Sequence, residues 1–501
     1  MSSPVSDKRW NEARQFLAGC NFTQAVAAYE KLSKQFSTQP DLWLEYGGAA
    51  AGAGQWDLAD RAWQKACDLK PGDTDFVVGI GHRYSGLRQP EKAKAWFEKA
   101  AAANPKSVNP PLALAIWMER HHRLTDAREY VNQCLAIDAK DEQAIYFAAV
   151  LDRRENKLGA AETRLRDLIA SDPRHQFVQY ACRYELAEVL DRTERYDEAM
   201  QLLTEAKSLV RRLGNIPAML GQYDSEASQI RQRTQALPRD ILRAWAKEFP
   251  ERGRETLPKM AFLGGHPRSG TTLLEQILAS HPAIAAVDEA RAFPDLICRL
   301  FLATPQINGP FLNVLRRRYL EAIQRESGEK FEGRLLLDKN PTPSVELRIW
   351  LRIFPESRIL FALRDPRDVI VSCYFQNVPL NPYNANFLSL ERTAKRYADL
   401  VEVWLAVRQW EGLCAMETKY EDTVANVKKE GARVTEFLGL PWDPAQERFF
   451  ESTNQTPQSR AYFEASQPVF TRSVARWRAY EKHLAPVLSA LEPYCRALGY
   501  T

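Results

Sequence analysis

Long apolar runs are missing from this chain. No stretch of about 18 uncharged apolar residues occurs in its 501 residues, so the sequence offers no transmembrane helix. The first residues, MSSPVSDKRWNEARQF, also lack the apolar segment of a signal peptide. A soluble cytoplasmic protein without a membrane partner is the expectation. Clustered cysteine is missing too: Cys20, Cys67, Cys134, Cys182, Cys298, Cys373, Cys414 and Cys495 lie far apart and form no C-x-x-C pair. That pattern argues against zinc and against a disulfide framework, and the thiols read as reduced. Net charge is small, with 68 basic and 64 acidic side chains giving +4, so composition supplies no reason to invoke nucleic acid. What remains is globular material, 45% hydrophobic and 26% charged, in a chain long enough for at least two domains.

The N-terminal part is periodic. Pro71, Pro105, Ala139 and Pro173 recur at a spacing of about 34 residues. Before Pro71 stand Trp43, Tyr46, Gly47, Ala59, Trp63 and Ala66; before Pro105 stand Ile80, Gly81, Tyr84, Ala93, Phe97 and Ala100. Ala127, Ala161 and Ala199 keep the small position in later units. These segments resemble tetratricopeptide (TPR) repeats, in which small residues let two antiparallel helices approach and large ones fill the gap to the next hairpin. About six units span 6–213, with a small insertion near Arg174 to Tyr180. The aromatic residues read as core. Such an array implies binding of a protein or peptide, or self-association, and no chemistry of its own. Residues 214–258 read as a helical connector.

From 259 to 501 the pattern changes to strands alternating with helices. MAFLGG, RLLLD, SRILFALRD and LCAMETKYED are strand-like, and TTLLEQILASHP, TPSVELRIWLRIF and TVANVKKEGARVTEFLGL have helical spacing. A mostly parallel three-layer α/β domain follows. Its first strand runs into FLGGHPRSGTT, residues 262–272, which has the glycine and threonine spacing of a phosphate loop but carries Thr271 where a nucleoside triphosphatase has lysine. Loop amides and a helix N-terminus still suit an anion, offered here by Arg268, Ser269, Gly270, Thr271 and Thr272. With its charge on Arg268, the loop suits a ligand of fewer charges and no obligatory metal.

PRSGTT resembles the 5′-phosphosulfate loop of sulfotransferases that use 3′-phosphoadenosine 5′-phosphosulfate (PAPS), and the pattern is similar to the protein-tyrosine sulfotransferase-like branch. LRDPRDVIVSCYF resembles that family's 3′-phosphate motif, which assigns the phosphate to Arg364 and Ser372. KYED resembles the segment with a nucleotide-contacting tyrosine, Tyr420. QPVFTRSVARWRAY is similar to the loop on the adenine and 3′-phosphate side, with Arg472, Ser473 and Arg476 as contacts and Trp477 as packing. The residues by themselves agree for Arg364, which ends an apolar strand where open α/β sheets bind ligands. The bland alternative is an ion-pair cluster of Arg364 with Asp365 or Arg367 with Asp368.

Sulfuryl transfer needs an oriented acceptor oxygen, a base for its proton and positive charge at the leaving phosphate. The resemblance places the base at Glu289 in HPAIAAVDEARAF, with Asp288 its nearest competitor and His266 and His281 behind. It assigns Lys339, in LLLDKNP, to the bridging oxygen of the leaving group, beside Arg268. The sequence departs from the family at Ala461 or Tyr462, where related enzymes have a transition-state serine, with Ser459 or a different backbone contact as its candidate substitutes. It departs again at Gln376, where they carry a second arginine.

The expected protein is therefore a TPR solenoid joined to a PAPS-dependent sulfotransferase domain that releases PAP and needs no metal. A tyrosine phenol of a peptide or protein is the favoured acceptor, with a hydroxylated small molecule also open. The alternatives are a TPR scaffold with a non-catalytic nucleotide-binding domain, and a divergent phosphate-loop kinase or NTPase.

Overall fold

A computed structural model describes residues 7–19, 21–247, 258–304, 307–328, 330–451, 469 and 471–500. The chain forms two compact units, Met1–Leu151 and Asp152–Thr501.

The first unit is built from helices in antiparallel pairs: α1 (Lys8–Ala18) with α2 (Phe22–Gln35), α3 (Pro40–Gly52) with α4 (Trp56–Asp68), α5 (Thr74–Gly86) with α6 (Pro90–Ala103), and α7 (Asn109–Arg120) with α8 (Leu124–Ile137). α9 (Glu142–Arg154) carries the chain into the second unit, where α10 (Leu158–Ala170), α11 (Gln176–Arg192) and α12 (Tyr196–Arg211) continue the series.

Close approach within a pair depends on glycine facing an aromatic ring. A Cβ on Gly47 would lie 2.4 Å from the indole of Trp63, and one on Gly81 would lie 2.3 Å from the ring of Phe97. Trp63 is fully buried, donates from Nε1 to the Leu44 carbonyl at 3.0 Å, and meets Tyr84 of the next pair edge-on at 4.7 Å. Ala59, Ala93, Ala127, Ala161 and Ala199 are all completely buried, as the small position requires. The backbone repeats as well: the turn inside successive pairs places Gly54, Arg88, His122, Asn156 and Glu194 in the left-handed region. The last interval is four residues longer than the others, and α11 is 17 residues against 13 for α3, α5 and α9. The insertion expected near Arg174 to Tyr180 thus extends the start of a helix.

After α13 (Ile216–Gln235) and α14 (Ile241–Lys247), the chain enters a five-stranded parallel sheet of order β2-β3-β1-β4-β5. The strands are β1 (Met260–Gly265), β2 (Ile284–Asp288), β3 (Leu335–Lys339), β4 (Arg358–Leu363) and β5 (Ala415–Lys419). β1 to β4 are almost wholly buried, which explains their unbroken apolar runs. The sequence reading did not recognise β2, an alanine-rich run that lies next to β3.

The connecting helices are α15 (Thr271–Ala279), α16 (Arg299–Ala303), α17 (Gly309–Ser327), α18 (Leu347–Ile353), α19 (Pro366–Tyr374), α20 (Leu390–Val407), α21 (Tyr420–Ala425) and α22 (Val427–Phe437). A last helix, Glu481–Ala497, closes the fold.

The repeat pattern and the packing divide the chain at different places. By pattern the repeats run to 213, yet α11 and α12 belong to the compact unit of the sheet. Asp191 of α11 accepts from Arg476 Nε at 3.0 Å and from the Tyr480 hydroxyl at 2.6 Å. Lys207 of α12, almost fully buried, donates to the Phe387 carbonyl at 2.7 Å, and burial lowers its pKa to about 7.

The glycine contacts give a paired test in α5. Gly81→Ala drives a methyl into Phe97 and is expected to destabilise by about 1–3 kcal/mol. Gly79→Ala, whose added Cβ would meet nothing within 4 Å, should instead stabilise by about 0.5–1 kcal/mol. Urea unfolding of the two variants measures both signs.

Candidate active site

The turn after β1 is shaped by two glycines. Gly265 has φ 142°, and a Cβ there would lie 2.6 Å from the Ala362 carbonyl of β4. Gly270 has φ 91°, and a Cβ would lie 2.7 Å from the ring of Tyr420. Between them the Ser269 hydroxyl donates to the His266 carbonyl at 2.7 Å, so its role in the turn is to fix the loop. α15 starts at Thr271, and the amides of its first turn have no acceptor within the helix.

A cavity of about 400 Å³ lies over this turn, walled by Arg268, Gly270, Thr271, Thr272, Glu289, Arg364, Ser372, Tyr420, Ser473 and Arg476 among others. Ten expected site residues thus meet at the carboxyl ends of the strands. Three stand apart. Ser269 is buried within the loop, Lys339 is buried beneath the wall, and Arg472 is exposed outside it.

On one side of the cavity, Arg268, itself at φ 76°, donates from Nε to the Ser372 hydroxyl at 2.9 Å. Arg364 donates to the Arg268 carbonyl at 3.2 Å and to the Ser473 carbonyl, and its guanidinium lies 4.7 Å from the Tyr420 ring centre. Its Nε is buried with no hydrogen-bond partner among the described residues.

The ion pairs of α19 run the other way from the simple alternatives. Arg367 pairs with Asp365 at 2.7 Å, and Arg364 lies 4.0 Å from Asp368. Asp368 accepts from the backbone amides of Ala475 and Trp477 at 2.8 and 2.7 Å, which draws the segment carrying Ser473 and Arg476 onto α19. Burial, only partly offset by Arg364, raises the Asp368 pKa to about 6. Arg476 is engaged by Asp191 and stacks on Phe375 at 4.3 Å.

On the other side, Glu289 ends β2 in the left-handed region at φ 48°, a conformation that costs about 1–3 kcal/mol for a residue with a side chain. Its amide donates to the Lys339 carbonyl at 2.7 Å, and its Oε1 accepts from Lys339 Nζ at 3.0 Å. Lys339 is wholly buried and also pairs with Asp288. Burial opposes its charge, but Asp288, Glu289 and Glu275 outweigh burial and hold its pKa above the ordinary lysine value. Glu275 of α15 is fully buried too, and burial together with Asp288 pushes its pKa up to about 8.

These contacts separate the competing bases. Asp288 is 7% exposed and held by Lys339, whereas Glu289 faces the cavity with its side chain 36% exposed. His266 is sealed in, with Nδ1 2.8 Å from the Pro267 carbonyl, and burial lowers its pKa to about 3. Both ring nitrogens of His281 are taken, Nδ1 by the Ala283 amide and Nε2 by the Pro441 carbonyl, each at 3.0 Å. Gln376 lines the cavity and donates to the Ser372 carbonyl at 3.2 Å. Ala461, Tyr462 and Ser459 lie outside the described residues.

Sequence reading missed part of the wall, namely Thr342, Phe375, Asn384, Phe387 and Arg396. Phe375 ends the LRDPRDVIVSCYF segment without having been singled out, the other four lie outside the phosphate motifs, and Arg396 sits in α20, whose spacing reads as an amphipathic helix.

Residues 260–444 match the family model described as Sulfotransferase family, and residues 76–107 match that of the Tetratricopeptide repeat. A protein of Aquifex aeolicus named only as uncharacterized is 23% identical over 413 residues, covering 76% of this chain and 51% of that relative. Protein-tyrosine sulfotransferase A of Caenorhabditis elegans is 23% identical over 256 residues, covering 48% of this chain and 66% of that relative. The sulfotransferase domain of the Synechococcus PCC 7002 olefin synthase aligns at 20% identity with a TM-score of 0.32, covering 44% of this chain and 88% of that domain. The chain thus spans between 51% and 66% of the length of these two curated relatives. With the turn after β1 inside the matched segment, the chain carries a sulfotransferase-family domain over residues 260–444 and joins it to tetratricopeptide repeats.

Proposed function

We propose that the α/β domain transfers a sulfuryl group from PAPS to an acceptor hydroxyl and releases PAP. The observation that carries this reading is the cavity wall of loop amides, the linked Arg268 and Ser372, and Arg364 with its unpartnered buried Nε. An N–H in that state suits a phosphate oxygen. PAPS, when bound, supplies a sulfuryl group on a phosphate leaving group.

The chain's own residues do the rest. The first-turn amides of α15, with Thr271, Thr272 and Arg268, hold the 5′ side. Arg364, Ser372 and Ser473 hold the 3′-phosphate, and Tyr420 packs between Gly270 and Arg364. Arg476, neutralised by Asp191, positions Phe375, and exposed Arg472 stands outside the wall. Glu289 takes the proton of the acceptor hydroxyl. Lys339 was expected at the bridging oxygen; its ammonium is directed at Asp288 and Glu289, and in this reading it orients the base while Arg268 balances charge on the departing phosphate.

A tyrosine phenol of a peptide or protein is the favoured acceptor. The name of the C. elegans relative supports it, and a repeat array is a plausible platform for a polypeptide. The rival readings remain a nucleotide-binding scaffold and a phosphate-loop kinase.

Thermal-shift titration separates these. PAP should raise the melting temperature in proportion to the logarithm of its concentration, with AMP and Mg-ATP far weaker. A response to Mg-ATP alone would return the loop to the kinase reading.

Glu289→Ala tests the base. Transfer from PAPS to a tyrosine peptide is expected to fall by about 10²–10⁴-fold while the PAP-induced shift survives. Unchanged transfer in this variant would remove Glu289 from the mechanism, and no transfer by the wild type would favour the scaffold.

A further inference from the structure

Arg396 is a buried cation that the transfer scheme does not use. It is 6% exposed and shares the cavity wall with Thr342, Asn384 and Phe387. Its Nη1 donates to the Tyr383 carbonyl at 2.9 Å and to Asn384 Oδ1 at 3.3 Å. Its guanidinium lies 4.4 Å from the ring centre of Phe387 and 6.0 Å from that of Tyr383. All of these partners are neutral. The groups that favour its charge are Tyr223, Cys373 and Tyr383, none of them a carboxylate, and burial outweighs them.

Buried Arg316 and Arg348 pair with Glu356 and Glu346, and half-buried Arg367 and Arg476 pair with Asp365 and Asp191. Asp399, one turn beyond Arg396, is taken by Arg231, Lys395 and the Tyr223 hydroxyl. A buried guanidinium without a counter-ion is costly to the fold, so a site that keeps one over a cavity is suited to an anion brought from outside.

We propose that Arg396 is an anion subsite completed by a carboxylate that the acceptor carries. Its Nε and Nη2 edge makes no hydrogen bond to the described residues, which leaves one bidentate face, matched to a carboxylate. The end of the cavity at Arg396 is assigned to the acceptor, in a wall shared with Glu289, Pro341 and Thr342. Phe375, Val378, Pro379 and Phe387 supply apolar surface for the body of the acceptor. Naming this end the acceptor end rests on the sulfuryl-transfer reading; the anion subsite itself does not.

The test is a calorimetric titration of the full chain, with and without PAP, using 4-hydroxyphenylacetate, benzoate and 3-hydroxybutyrate beside their amides. At least one carboxylate should bind about tenfold or more tightly than its amide, and Arg396→Gln should reduce the difference to within about twofold. Arg396→Lys, which keeps the charge without the planar fork, should retain part of it. No carboxylate preference in the wild type, or a preference that survives Arg396→Gln, overturns the subsite. The wild-type comparison decides this even if Arg396→Gln does not fold. A preference lost in Arg396→Gln, in a protein that fails to bind PAP, would keep the subsite and sink the transfer reading.

Discussion

The ends of the central strands are organised by one buried ammonium. Lys339 is inaccessible to solvent, and removing a lone charge from water costs several kcal/mol, so its position is tolerable only beside carboxylates. Asp288 and Glu289 provide them from the end of β2, with Glu275 contributing from α15. Three acids around one base are more than the ammonium can neutralise, and the excess is relieved at Glu275, whose pKa rises because it is the most deeply buried of the three. Glu289, the least buried, faces the cavity. The left-handed backbone of Glu289 follows from the same demand, because its carboxylate meets the ammonium while its amide meets the Lys339 carbonyl.

Opposite this cluster the wall is borrowed from the repeat series. Asp191 on α11 fixes Arg476 and Tyr480, while Lys207 and Arg211 on α12 bond to the carbonyls of Phe387 and Leu388. These are a buried charge and several well-directed hydrogen bonds, a firmer junction than exposed ion pairs would give. The final hairpin therefore has two duties: it continues the helical pattern, and it supports residues that line the cavity. Compactness divides the chain near residue 151 and not near 213 for this reason.

Much of this was legible in the sequence because strong local constraints leave strong local traces. A helical pair that places glycine under Trp63 or Phe97 admits few other residues, so the repeat is visible in composition alone. The turn after β1 is equally demanding, since Gly265 and Gly270 adopt conformations and contacts closed to other residues. β2 was not legible because Ile284–Asp288 carries little strand propensity, and its identity comes from pairing with β3. The burial of Lys339 was not legible either. A lysine after an apolar strand looks the same in sequence whether its ammonium reaches a cavity or turns back to two carboxylates. Arg396 left no trace for a related reason: whether an arginine on an amphipathic helix has a partner is decided by elements distant in the chain.

The cavity's arginines differ in how far the protein has already compensated them. Arg364 has Asp368 at 4.0 Å, and Arg476 has Asp191 at hydrogen-bonding distance. A ligand at those residues meets a field reduced by fixed carboxylates, so its binding is governed by directed donors such as the Arg364 Nε more than by net charge. Among the described residues, Arg396 hydrogen-bonds to a carbonyl and an amide oxygen and packs on an aromatic ring, with no ion pair. An anion there gains the full effect of a poorly screened cation in a desolvated wall. Arg364 and Arg396, in the wall of one cavity, thus discriminate by different physics, geometry at Arg364 and charge at Arg396.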